Sequence, residues 1–221
     1  MERDAGWKIL LWDAPVRVVH WCFPLLIPAL WWTWKTDRMA VHEALGYALL
    51  ALLLFRLFWG FAGGGAARFA SFVRGPRAIL GYLKGAKAAP GHNPLGGWSV
   101  VALLALMSAE VALGLFTQDV DGLESGPLTP LVSYDRAEAA RHWHGLVFDA
   151  LFVLIGVHLA AVAFYALVKR DNLIAPMITG RKAVEEGTAV PARAPLWRAV
   201  LGAAVAALLA WWVSRGCPLW K

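Results

Sequence analysis

The sequence predicts an all-α protein that crosses a membrane five times, and three observations carry that prediction. Of its 221 residues 59% are hydrophobic and only 16% charged, and the mean hydropathy is +0.56. Soluble domains average roughly 45–50% apolar and about 25% charged residues, so a water-soluble enzyme is the first class excluded. Thirteen Trp occur, with the pairs Trp31-Trp32 and Trp211-Trp212 at the ends of apolar runs, where aromatic belts meet the headgroups. Finally, five runs reach the roughly 20 apolar residues that a hydrocarbon core of about 30 Å requires, without the alternation of a β-barrel.

In chain order the first span lies near 17–34 and holds Arg17, His20 and Cys22. The second, near 41–63, opens at His42 and carries Arg56 in the run Leu52-Leu53-Leu54-Phe55-Arg56-Leu57-Phe58. A turn, Gly91-His92-Asn93-Pro94-Leu95-Gly96-Gly97, leads into the third span near 97–117, with Pro94 at the helix start and His92 expected in a capping role. That span holds Glu110. The fourth, near 143–168, contains His144, Asp149 and His158, and the fifth, near 196–213, has no His.

The net charge of +6 does not imply nucleic acid, because its bases gather in two loops. Arg68, Arg74, Arg77, Lys84 and Lys87 lie between spans two and three; Lys169, Arg170, Arg181, Lys182 and Arg193 follow span four. The loop after span three is acidic, with Asp119, Asp121, Glu124, Asp135 and Glu138. The positive-inside rule therefore predicts a cytoplasmic N-terminus and a periplasmic C-terminus. Residues Met1 to Lys8 lack a signal-peptide pattern, so the first span is expected to direct insertion. Cys22 and Cys217 fall at opposite faces in this topology, which disfavours a disulfide, and no CxxC or CxxCH motif is present for thiolate clusters or covalent haem.

Histidines inside a membrane are costly and point to function. His144 and His158 are 14 residues apart, which on a helix is within about 40° of four full turns and a rise of about 21 Å. Both imidazoles thus share one face at two depths. Matching depth with depth pairs His42 with His144 on the external side and His20 with His158 on the cytoplasmic side. Two haems stacked in a helix bundle, each with two axial imidazoles from facing helices, need this pattern. Zinc or copper would need three or four ligands at one depth. His142 points about 160° away from His144 and is expected at the interface. Arg56 lies 14 residues after His42 and so at the depth of His158, where haem propionates need a cation; Arg17, on the face of His20, is a second candidate. Glu110 and Asp149 read as buried acids able to carry protons or bond a neighbouring helix. Gly46, Gly60, Gly114 and Gly156 mark places for close helix or porphyrin approach.

Several segments together resemble one family. They are Trp12-Asp13-Ala14-Pro15-Val16-Arg17-Val18-Val19-His20-Trp21, His42-x-x-x-Gly46-Tyr47, Arg56 with Trp59-Gly60, Gly91-His92-Asn93-Pro94-Leu95-Gly96, and Met177-Ile178-Thr179-Gly180-Arg181-Lys182. In that order, over about residues 8–182, the chain is similar to the bacterial cytochrome b561 and nickel-iron hydrogenase b-type cytochrome family. The resemblance implies a four-helix transmembrane haem-binding bundle in the bacterial inner membrane, with two non-covalent b haems on His20, His42, His144 and His158. It also implies passage of electrons between a redox partner and the membrane quinone pool. The chain accordingly divides into a dihaem domain over 1–182 and, over 183–221, a linker with an additional transmembrane helix. Only about seven residues join the first two spans, fewer than in the hydrogenase b subunits. That leaves a small c-type cytochrome open as partner beside a hydrogenase or dehydrogenase subunit. Oxidation of superoxide with delivery of electrons to quinone, and a haem-free membrane anchor, are the competing functions.

Overall fold

Each apolar run becomes one long helix, because a backbone in hydrocarbon must satisfy its own hydrogen bonds. The computed structural model describes residues 7–87, 89–119, 121 and 124–218. In order these form β1 (Trp7–Leu10), α1 (Ala14–Lys35), α2 (Met39–Ala62), α3 (Phe69–Phe72), α4 (Pro76–Leu83), α5 (Pro94–Gly114), α6 (Tyr134–Leu167), α7 (Ile174–Thr179), β2 (Arg181–Val184) and α8 (Leu196–Ser214). The helices α1, α2, α5, α6 and α8 are long and apolar enough to cross a membrane. The all-α membrane architecture expected from composition is the one observed, with a two-stranded ribbon added.

The chain enters α1 through a cap that reaches across the bundle. Asp13 Oδ1 accepts a hydrogen bond from the Val16 backbone N–H at 3.0 Å, and its Oδ2 accepts one from Trp59 Nε1 at 2.9 Å near the end of α2. We call the bundle end that holds these groups proximal, and the opposite end distal. Pro24 lies four residues after His20, so the His20 carbonyl lacks the N–H partner that a regular helix would supply. Between α1 and α2 only Thr36, Asp37 and Arg38 lie outside helices, fewer than the seven expected. Asp37 takes a positive φ of 55°, a conformation that Asp tolerates, and so closes the turn.

The largest departure from the sequence reading is α6. Its apolar run predicts a start near residue 143, but the helix begins at Tyr134 and runs for 34 residues, about 51 Å, well beyond a core of about 30 Å. Hydropathy marks where lipid begins, not where helical hydrogen bonding does. Ala137 and Ala140 are buried in the outer turns of α6, as are Leu128 and Thr129 in the loop that precedes it.

Two apolar clusters fill the bundle. Leu49 and Leu53 of α2 meet Leu104, Met107 and Val111 of α5 and Leu151 of α6. Toward the proximal end, Val16 and Val19 of α1 pack with Phe55 and Trp59 of α2 and Ala199 and Ala206 of α8. The helix α8 lies along α2, and Gly202 sits so close to Phe58 that a Cβ there would come within 2.3 Å of its ring. The ribbon closes the proximal end: β1 and β2 pair antiparallel from Trp7 opposite Val184 to Leu10 opposite Arg181. The chain between α7 and β2 turns at Gly180 (φ 79°), whose carbonyl accepts from the Leu11 and Trp12 N–H groups.

Asp13 thus joins a helix cap to an inter-helix bond. Asp13→Ala is expected to cost about 1–3 kcal/mol and to lower the thermal midpoint of the detergent-solubilised protein. Asp13→Asn, which keeps an acceptor oxygen for the cap, should lose less.

Candidate functional site

At the distal end two imidazoles approach each other from α2 and α6. His42 and His144 have ring centroids 6.5 Å apart and planes at 81°. Both rings are anchored at Nδ1: His42 to the Leu30 carbonyl at 3.0 Å, His144 to the Glu110 carbonyl at 2.9 Å. A carbonyl oxygen can only accept, so each Nδ1 carries the proton and each Nε2 is left with a free lone pair. That is the tautomer a metal-ligating imidazole needs. Two imidazoles on opposite sides of one metal, with bonds of about 2 Å, have centroids roughly 6 Å apart, and 6.5 Å is close to that.

Around this pair the interior is open. The helix α6 packs along α5 and stands off from α1 and α2. A Cβ built on Gly46, Gly145 or Gly156 would meet nothing within 4 Å. Gly46 is one turn after His42; Gly145 and Gly156 lie between the two His of α6 at exposed positions, turned about 100° from His144 and about 160° from His158 respectively. By contrast Gly60 abuts Phe69, and Gly114 lies under His144, where a Cβ would come within 3.1 Å of the ring. Of the four glycines singled out in the sequence, two therefore border space and two make close contacts.

At the proximal end lie His20, His158, Arg56 and His92. His20 Nδ1 is enclosed and, among the described residues, has no hydrogen-bond partner. Arg56 is buried, with its guanidinium 5.2 Å from the Phe69 ring, and its Nη1 likewise finds no acceptor. The Asp13 carboxylate offsets part of the cost of burying this guanidinium, and its unpartnered Nη1 suits a further carboxylate supplied by a bound group. Arg17 instead donates from Nη1 to the Ile178 carbonyl near the end of α7.

Two sequence expectations need revision. Asn93, not His92, caps α5, its Oδ1 accepting from the Gly96 N–H at 2.7 Å. His92 is held between Trp12 and Phe72, with ring centroids at 4.8 and 4.5 Å, because the loop before α5 folds under the bundle. Burial, followed by the nearby charges of Arg56, His158 and His20, lowers its pKa from 6.5 to about 4. Asp149 is exposed on α6 rather than buried, and Glu110 is the acid in contact with His144. His142 is exposed, as its helical phase predicts.

Sequence reasoning did not find the Leu30 and Glu110 carbonyls, since a backbone group leaves no mark in residue identity. Nor did it find the network in which Asn93 Nδ2 donates to Tyr165 OH at 2.7 Å and Tyr165 pairs with Tyr82, fastening α4 and the loop before α5 to the end of α6. Among the described residues no group of three or more His, Cys, Asp or Glu is arranged to hold a bare metal ion. Among the described residues the imidazoles of His42 and His144 are the ones that face each other as a pair.

An all-α, multi-pass membrane protein with imidazoles facing across an open bundle interior falls in the class of membrane b-type cytochromes. The profile of the family described as prokaryotic cytochrome b561 matches residues 11–180, and the chain belongs to that family. It is therefore a membrane b-type cytochrome that takes part in electron transfer. Relatives include proteins of Azotobacter chroococcum mcd 1 and Azotobacter vinelandii, each named a probable Ni/Fe-hydrogenase B-type cytochrome subunit. Each is 25% identical over 211 residues, covering 78% of this chain and 87% of the relative. No solved structure matches the chain significantly.

The lowered pKa of His92 sets a pH dependence. Its folded form binds the proton less readily than its unfolded form, so its contribution to stability is full above about pH 6.5 and declines as pH falls toward about 4. Thermal midpoints measured from pH 7 to pH 4.5 should fall less steeply for His92→Gln than for the native chain; parallel curves would show that His92 is not the group responsible.

Proposed function

We propose that this chain holds two b haems, one between His42 and His144 and one between His20 and His158, and passes single electrons between a redox partner and the membrane quinone pool. The observation that carries the reading is the facing His42–His144 pair, with both Nδ1 protons held by carbonyls. His20 and His158 follow from the 14-residue spacing along α6 and from the enclosed, unpartnered nitrogen of His20. Arg56 would set the counter-charge for propionates at the proximal pair, with Arg17 as a further candidate whose guanidinium is partly engaged by Ile178.

Haem, when bound, would supply reversible one-electron storage, and an imidazole from each side would hold it and favour electron transfer over oxygen or peroxide chemistry. The residues supply the rest. The tautomer lock presents Nε2 without rearrangement, the apolar walls of α1, α2, α5 and α6 exclude water, and the 14-residue separation along α6 spreads the two sites across most of the bilayer. The basic loops cluster at the proximal end and the acidic loop at the distal end, which supports a cytoplasmic proximal face. A cavity of about 270 Å³ at the proximal end is lined by Ser71, Arg74, Tyr82, Lys87 and His92 among others, and offers hydrogen-bonding groups to a quinone headgroup. The relatives' name favours a hydrogenase as partner. The acidic distal loop suits a soluble donor with a basic face, such as a c-type cytochrome.

The pairing is tested by replacing each His with Ala and resolving haem by redox titration of the visible spectrum. His42→Ala and His144→Ala should remove the same component, and His20→Ala and His158→Ala the other. Loss of one common component in all four, or of none, contradicts the assignment.

A further inference from the structure

The two imidazoles of the distal pair are not held alike. His42 Nδ1 meets one carbonyl, that of Leu30. His144 Nδ1 meets two oxygens of a single residue of α5, the Glu110 carbonyl at 2.9 Å and the Glu110 carboxyl Oε1 at 3.3 Å. One turn further, Gly114 provides the flat stretch of helix on which the ring lies, its virtual Cβ 3.1 Å from His144 Cε1. Glu110 is 8% exposed, and its Oε2 is enclosed with no hydrogen-bond partner among the described residues. No Lys or Arg pairs with it among the described ion pairs; its partner there is the imidazole, and the Asp149 carboxyl of α6 is a second acidic neighbour.

We propose that Glu110 is a positioning residue that makes His144 the more electron-donating of the two distal ligands and so lowers the reduction potential of the distal haem. This rests on the dihaem reading above. The backbone carbonyl alone fixes the tautomer, as it does for His42. A carboxyl oxygen 3.3 Å from the same Nδ1 adds its field to that of the carbonyl on the N–H and leaves more electron density at Nε2, because second-shell carboxylates raise the basicity of a ligating His. Greater donation favours the oxidised metal. In a bundle interior of low effective dielectric the effect is larger than at a surface. The 3.3 Å contact also resists rotation of the ring, since both anchors belong to one helical turn of α5.

The experiment is a redox titration, at pH 7, of the haem-loaded protein in detergent, comparing the native chain with Glu110→Gln and Glu110→Asp. Glu110→Gln retains size and an acceptor oxygen, and is expected to keep both haems. The component that His144→Ala removes should shift toward easier reduction by about tenfold in its reduced-to-oxidised ratio, about 59 mV for one electron, with the other component unmoved. Glu110→Asp, one methylene shorter, should give a smaller shift in the same direction, and the low-spin paramagnetic resonance signal of the oxidised distal haem should change in both variants. Two haems with unchanged potentials in both variants overturn the role of Glu110, as does an equal shift of both components. A native chain without haem overturns the dihaem reading instead.

Discussion

The distal end of the bundle turns on one interaction: each of two facing imidazoles gives its Nδ1 proton to a backbone carbonyl of a neighbouring helix. An imidazole in such surroundings is driven to bond at both nitrogens, and a structure that leaves one free has to hold the other firmly. Leu30 and Glu110 do this with backbone carbonyls that belong to α1 and α5, so the tautomer of each distal His depends on a neighbouring helix. Packing and chemistry are therefore coupled. The short turn at Asp37 sets the register of α1 against α2 and so brings Leu30 to His42, while the packing of α6 along α5 brings Glu110 to His144.

The two ends are built differently. The distal pair is fixed by hydrogen bonds, whereas the proximal end concentrates groups with unmet demands: His20 Nδ1, Arg56 Nη1 and His92 Nδ1 are all enclosed without partners among the described residues. Around them the structure is tied by the Asp13 cap, the β1–β2 ribbon and the tyrosine pair that joins α4 to α6. Anchoring at the periphery of the proximal end with open demand at its centre suits a site whose polar groups are completed by what it binds.

Much of this was legible in the sequence where the signal is one of residue type. The five helices follow from apolar runs that lipid demands, and the shared face of His144 and His158 follows from helix geometry alone. What was not legible depends on the third dimension or on the backbone. Glu110 and Asp149 read alike as acids within apolar runs, yet one is buried on α5 against His144 and the other is exposed on α6. His92 reads as a capping residue because it precedes Asn93 and Pro94, and only the fold of its loop puts it between Trp12 and Phe72. The nine residues by which α6 extends beyond its apolar run (143 − 134) escape a hydropathy reading because they are polar and helical at once.

The central claim is that the apolar interior is organised around two cofactors at two depths. Its most direct test is the stoichiometry of b haem per polypeptide in the purified protein, measured by pyridine haemochrome absorbance against amino-acid analysis. The account predicts two haems per chain; a value of one, or none, would contradict it.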